Sequence, residues 1–387
     1  MRQPDRTTSA PDLHLLSLLK TLLWPLSGME PTTFLNLPTE ILEKILEYNK
    51  LPLPTLFELA LSCTRLHDIC LPLHLKRSGI PIPEELCKII VPAKMQEHDG
   101  LAALRLAKWV TKTKRLECHF QAWQGALSTM VFQLSQVEAF VNKLTVVEEV
   151  VLEFDPHDTP YTTYADLYDK DIVAWSDAMG KLLNTIVERG CRTLEINGLT
   201  QLHDVYTCTP LVPSDTLQPV PFDPGAPHDL GQTSMGMAAS GSDGAHIDVL
   251  SGRTWKYKRN SRIIYPGSSS EDSILTRPSP LARANSKLTS FTIGSKSLLC
   301  PPLLQWTYSI LAFSPVDTLS LRKTAVFQSS VSPVTTLIPM ACPSLKRLAL
   351  FSPGAISHGD LTAMVCALPQ LEHLAIEGID TSLCSYS

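Results

Sequence analysis

Four residues with metal-ligand chemistry, Cys63, His67, Cys70 and His74, follow one another at helical spacing and so share one helical face. Thiolate and imidazole are ordinary zinc ligands. A tetrahedral site draws its ligands from more than one element, however, and Pro72 interrupts this helix before the fourth ligand. Packing is therefore the reading, and no metal is expected here. Cys118 and His119 could act as a thiolate–imidazole pair, yet neighbours on a strand point to opposite faces. The carboxylates between Asp166 and Asp171 lie near Pro160, Tyr161, Tyr164 and Tyr168, and read as a polar loop leading into a helix over Ile172–Arg189 rather than as an acid–base pair. The sequence contains no G-x-S-x-G elbow, phosphate-binding loop, G-x-G-x-x-G turn, H-E-x-x-H helix or C-x-x-C pair. Neither catalysis nor a cofactor is expected, which turns attention to binding surfaces.

A chain of 387 residues with 44% hydrophobic content is long and apolar enough for about two domains and a sizeable core. A net charge of -5 supplies no global field toward nucleic acid or anionic membrane. The run from Trp255 to Arg262 mixes aromatics with base, as single-strand binders do. It is one short cluster in an acidic protein, so it reads as a solvated loop or a localisation patch, and nucleic acid is not an expected partner. The ten cysteines are scattered through apolar stretches and read as reduced thiols of a cytoplasmic and/or nuclear protein. Leu13–Leu26 is apolar but contains His14, Lys20 and Pro25 and is too short to span a bilayer, so no stable membrane insertion is expected. It reads as an amphipathic helix or an extension ahead of Met29. Ser268–Asp272 and the Ser279–Pro280 step have the composition of kinase-accessible sites.

The elements begin at residue 34. Leu37–Leu46 places Pro38 at a helix start and Glu40 in the first turn, with Ile41, Leu42, Ile45 and Leu46 on one face. A second helix from Leu56 stacks Leu59, Cys63, Leu66 and Ile69, with Pro72 limiting its length. Helices this short do not bury their apolar faces alone, which marks a partner-binding unit. Phe34–Leu75 resembles an F-box, the helical module that docks a substrate receptor onto a Skp-type adaptor in SCF ubiquitin ligases. The run Arg65–Leu73 is similar to F-box proteins of filamentous and mushroom-forming fungi. Ser62 stands where the family commonly carries Val and Leu66 where it often carries Trp, and Asn49, Lys50, Pro52 and Pro54 lengthen the first connection. The resemblance implies a three-helix module over 31–78 and an adaptor surface made of Leu37, Pro38, Glu40, Ile41, Ile45, Leu46, Leu59, Cys63 and Leu66.

Residues 1–30 form an ill-defined extension, and 79–112 read as a helical linker, with a capped helix start at Pro81–Leu86 and a helix over Gly100–Thr111. Beyond it, seven segments place two apolar residues one position apart: Arg115–Cys118, Glu149–Leu152, Thr193–Ile196, Ser290–Ile293, Thr318–Leu321, Arg347–Leu350 and His373–Ile376. Phe291, Leu319, Leu348 and Leu374 recur at intervals of 28, 29 and 26 positions, within the leucine-rich-repeat period of about 20 to 29. Pro343–Leu350 returns in kind as Pro369–Ile376, with a helix over Gly359–Leu368 between them. The expected architecture is thus α/β, the helical module followed over 113–387 by an irregular leucine-rich-repeat-like solenoid. At 210–286 Pro, Gly, Ser and Asp dominate and periodicity is lost. That stretch reads as a disordered insertion whose removal, over Pro213–Leu281, leaves the fold intact.

The expected function is a non-enzymatic substrate receptor of an SCF-type ubiquitin ligase, bound to a Skp-type adaptor and through it to a cullin. A protein target would meet Arg347, Ala349, His373 and Ala375 on the strand surface. A repeat scaffold without ligase coupling is the alternative.

Overall fold

Each of the seven predicted strand segments places two apolar residues one position apart, and each buries that pair, except at the last edge, by joining one sheet. In a computed structural model of the chain, which describes residues 36–48, 51–92, 99–121, 127–154, 169–198, 206–210, 246–249, 253–259, 276–299, 303–322, 338–339, 341–351 and 358–377, all seven are strands. They are β2 (Lys112–Phe120), β3 (Val146–Phe154), β4 (Thr193–Asn197), β8 (Ser290–Gly294), β9 (Thr318–Arg322), β10 (Arg347–Phe351) and β11 (His373–Glu377). An eighth, β1 (Leu86–Val91), precedes them, and the order β1-β2-β3-β4-β8-β9-β10-β11 follows the chain, every pairing being parallel.

The register keeps the apolar pairs level. Leu116, Val150, Leu194, Phe291, Leu319, Leu348 and Leu374 form one row across the sheet, and all but the last are at most 1% exposed. Leu374, at the edge, is 41% exposed. A backbone device repeats at the strand entrances. The carbonyl just before each strand accepts two N–H groups from the start of the next: Arg192 from Thr289 and Ser290, Thr289 from Asp317 and Thr318, Asp317 from Lys346 and Arg347, and Lys346 from Glu372 and His373, all at 2.8–3.1 Å.

Helices return the chain between strands: α5 (Leu127–Lys143), α6 (Asp169–Glu188), α8 (Leu304–Phe313) and α9 (His358–Cys366). Helices α5 and α6 pack on each other through apolar stripes that include Phe140, Val141, Met179 and Leu183, all fully buried. Trp306 of α8 is also buried, and its indole N–H is satisfied by Asn184 Oδ1 of α6 at 2.9 Å.

Four expectations are corrected. Pro81–Leu86 does not start a helix. Its prolines and acids imitate a helix entrance, but the following residues alternate exposed and buried, β-branched Ile89 and Val91 suit a strand, and Cys87 and Ile89 pair in register with Leu116 and Cys118. The supposed helical linker thus holds a strand and only a short helix, α4 (Gly100–Leu106), capped by Asp99 Oδ1 accepting from the Ala102 N–H at 2.7 Å. The stretch 210–286 is also not wholly unstructured. β5 (Tyr206–Pro210), β6 (His246–Val249) and β7 (Arg253–Arg259) form an antiparallel sheet in the order β5-β7-β6, into which the aromatic and basic run enters as the central strand. Its far end, from Thr276, lies on α6. The Thr276 hydroxyl donates to Ser176 O at 3.3 Å, Asn184 Oδ1 accepts from the Ser279 N–H at 3.2 Å, and the Ser279 hydroxyl donates to Glu188 at 2.5 Å. The same Ser279 oxygen caps α7 (Pro280–Asn285) by accepting from the Ala282 N–H at 2.9 Å. Ser279 is therefore a structural cap rather than an open kinase site. Ser268–Asp272 and Leu13–Leu26 lie outside the described residues.

The chain divides into two compact units, Met1–Pro81 with Glu97–Ala107, and Ile82–Gln96 with Lys108–Ser387. The first is helical: α1 (Thr39–Tyr48), α2 (Leu53–Ser62), α3 (Thr64–Arg77) and α4. Its core joins Leu42 and Leu46 to Leu56, Leu59, Leu66 and Leu71. Gly79 ends α3 at φ +84°, with Ile80 N–H bonded to Leu75 O and Gly79 N–H to Lys76 O, a left-handed helix stop that glycine adopts without steric cost.

Removing Pro213–Leu281 should lower the urea midpoint, because the deletion strips Thr276, buried Pro278 and Ser279 from α6. S279A alone should cost about 1 kcal/mol, the usual loss for a helix N-cap, measured by equilibrium unfolding.

Candidate functional site

Helix α1 has ten residues, too few to persist alone in water, and the module holds it by packing and by two arginines of α3. Leu42 and Leu46 point inward at 0% and 2% exposure. At its entrance the Arg65 guanidinium donates to Leu37 O. At its exit Arg77 donates to Leu46 O at 3.1 Å and Glu47 O at 3.2 Å, carbonyls that a helix end leaves without intrahelical partners, and to Leu51 O of the following connection at 2.7 Å, placing a cation at the negative end of the dipole.

What remains outside is an apolar stripe. Ile41 is 42% and Tyr48 86% exposed, and half-buried Ile45 lies between them at helical spacing. Pro38 and Glu40 are exposed, Leu37 is half-buried, and Leu61 at the end of α2 is 58% exposed. Residues 34–78 match the family model described as F-box-like. This stretch is an F-box-like domain. F-box domains generally bind Skp-type adaptors, so the stripe on α1 is the candidate docking surface of this one. No curated protein matches the chain.

Of the nine residues expected at the adaptor surface, Leu37, Pro38, Glu40, Ile41, Ile45 and Cys63 are at least partly accessible. Leu46, Leu59 and Leu66 are not. At 1–2% exposure they are the core on which the accessible residues rest. The expected single helix through Leu59, Cys63, Leu66 and Ile69 is two helices, broken where Cys63 is extended at φ -158° and ψ 160°, so those four do not form one continuous stripe. Pro72 does not end α3, which runs on to Arg77 with the proline on its exposed side. Pro52 and Pro54 open α2 rather than lengthening a loop, and Ser62 is exposed with its hydroxyl turned back to Leu59 O at 2.7 Å. Tyr48 and Leu61 were missed, although the i, i+4, i+7 spacing of Ile41, Ile45 and Tyr48 carried the signal.

Three of the four potential metal ligands are buried or otherwise engaged. Cys70 and His74 are fully buried, His74 lies against the Phe57 ring with centroids 5.6 Å apart, and His67 Nδ1 is 3.1 Å from Ala60 O. Among the described residues no group of three or more His, Cys, Asp or Glu is placed to hold a metal ion.

A second surface lies on the polar face of the sheet. Arg347 pairs in register with His373 and Ala349 with Ala375, so the four expected target-contacting residues are neighbours. Arg347 bonds Thr318 Oγ1 at 2.9 Å and Asp317 Oδ1 at 3.3 Å. His119 faces this side and lies 2.8 Å from Glu153, whereas Cys118 points into the core, where burial holds its thiol well above the ordinary range.

Burial likewise pushes Cys70, Cys191 and Cys342 up to about 12 and Cys87 to about 11, against an ordinary 9.0. These thiols keep their protons longer in the folded chain than in the unfolded one, so their contribution to stability is full below pH 9 and is lost as pH rises toward 12. The urea midpoint should therefore fall between pH 8 and pH 10.5. Alkylation at pH 8 followed by peptide mapping should find Cys366 labelled and the buried five protected until denaturant is added.

Proposed function

We propose that the protein is the substrate-recognition subunit of an SCF-type ubiquitin ligase, docking a Skp-type adaptor through the F-box-like domain and, through that adaptor, a cullin. The observation that carries the reading is the F-box-like match over residues 34–78, on a helical module that leaves Pro38, Ile41 and Ile45 available to a partner. The second unit supplies target binding. Its chain-ordered parallel sheet and its apolar pairs at intervals of 26 to 29 positions support an irregular leucine-rich-repeat-like solenoid, with Arg347, Ala349, His373 and Ala375 on the target side. Ubiquitin transfer belongs to the ligase partners, this chain being non-catalytic and acting in the cytoplasm and/or nucleus. Ser62, where the family commonly carries Val, favours the second reading, a leucine-rich-repeat scaffold without ligase coupling.

Co-purification of a Skp-type adaptor with the tagged full chain separates the two readings. Replacing Leu37 and Pro38 together by alanine should weaken adaptor affinity about ten-fold or more with an unchanged circular dichroism spectrum, because a few central anchors dominate such interfaces. Absence of adaptor from the wild-type pull-down, beside a control F-box protein that retains it, leaves the scaffold.

A further inference from the structure

From β3 to β10 the parallel register sorts the polar face of the sheet by charge, whereas β2 interleaves Arg115, Glu117 and His119 on that face. On β3 and β4 its charged residues are Glu149, Glu153 and Glu195, and on β9 and β10 they are Arg322 and Arg347. Between these groups β8 contributes only Ser290, Thr292 and Gly294. The middle row over β8, β9 and β10 is small as well, running Thr292, Ser320, Ala349. By register it is the floor of a trough across the strands, with Arg322 along one side and Arg347 along the other, and the Arg322–Glu195 pair spans it over β8. Local pairs hold these charges: Glu149 with Arg115 at 3.3 Å, Glu153 with His119 at 2.8 Å, Glu195 with Arg322 at 2.6 Å, and Arg347 with Asp317 at 3.3 Å. The side chains of Glu149, Glu153, Arg322 and Arg347 are 36–57% exposed and that of Glu195 is 23% exposed, so the pairs at Glu149, Glu153 and Arg347, open to water, contribute little and a ligand can exchange them without large loss.

The floor carries an independent sign of a ligand. Ser320 is only 9% exposed and shares the polar face with Arg322, and among the described residues its hydroxyl has no hydrogen-bond partner. A buried hydroxyl without a partner costs free energy that a bound polar group would recover.

We propose that this trough seats an extended peptide segment of bipolar charge, its backbone bonded to the Ser320 hydroxyl, a basic side chain over Glu149 and Glu153, and an acidic one against Arg347. Four strand steps separate β3 from β10. At about 4.8 Å per step that is roughly 19 Å, the length of about six extended residues, which sets the spacing between the two charges. The inference deepens the receptor reading, and rests on it in taking the segment to belong to a protein target.

The test is fluorescence anisotropy of the full chain with labelled twelve-residue Gly/Ser peptides carrying an Arg pair and a Glu pair five residues apart, beside peptides carrying only Arg or only Glu. The bipolar peptide should bind about ten-fold more tightly than either single-sign peptide. S320A should weaken it several-fold. R347E should weaken it about ten-fold and regain affinity for the peptide whose Glu pair is replaced by Lys, a rescue that a merely misfolded variant would not give. Equal binding of the all-Arg peptide, no binding of the bipolar peptide, or indifference to both substitutions overturns the proposal. Adaptor co-purification is scored separately. The charge pattern without adaptor leaves the trough and removes the receptor, and adaptor without the pattern does the reverse.

Discussion

The second unit depends on a backbone interaction that no side chain makes. At four successive strand entrances one carbonyl, of Arg192, Thr289, Asp317 or Lys346, accepts two N–H groups from the next strand's start. Each strand is thereby fixed level with the last. With a side-chain period of two, a slip by one residue would exchange the buried and exposed faces of a whole strand. Holding the register puts Val150, Leu194, Phe291, Leu319 and Leu348 in one fully buried row, each such side chain contributing about 1.5–3 kcal/mol. The polar face follows without further instruction, and Arg322 can reach Glu195 across β8 because Gly294 and Thr292 keep the space between them low.

The F-box-like domain solves a different problem. A ten-residue helix keeps apolar side chains exposed on one face while the other packs into the core. Leu42 and Leu46 anchor one face, and Arg65 and Arg77 tie the two ends to α3 through main-chain carbonyls. Guanidinium suits the task because its several donors reach carbonyls of different residues at once. Ile41, Ile45 and Tyr48 are then held outward by the same packing that buries their neighbours. The buried and the exposed face of one helix thus carry different residues, and Leu46, Leu59 and Leu66, conspicuous in the motif, belong to the core.

The sequence by itself determined what local periodicity reports. Two apolar residues one position apart named seven strands of the parallel sheet, and Phe34–Leu75 disclosed the helical module, because burial on one face leaves its period in the composition of a short window. Tertiary structure decided what depends on distant partners. β1 became a strand because β2 offered it a register. Thr276–Asn285 left the apparent insertion because Ser176, Asn184 and Glu188 supplied bonds about a hundred positions away. One helix became two at Cys63, and the entrance carbonyls that align the sheet could belong to any residue type. A backbone hydrogen bond leaves no mark on the side chain at its position, and a long-range contact leaves none within a window, so these features exist only once the chain has folded.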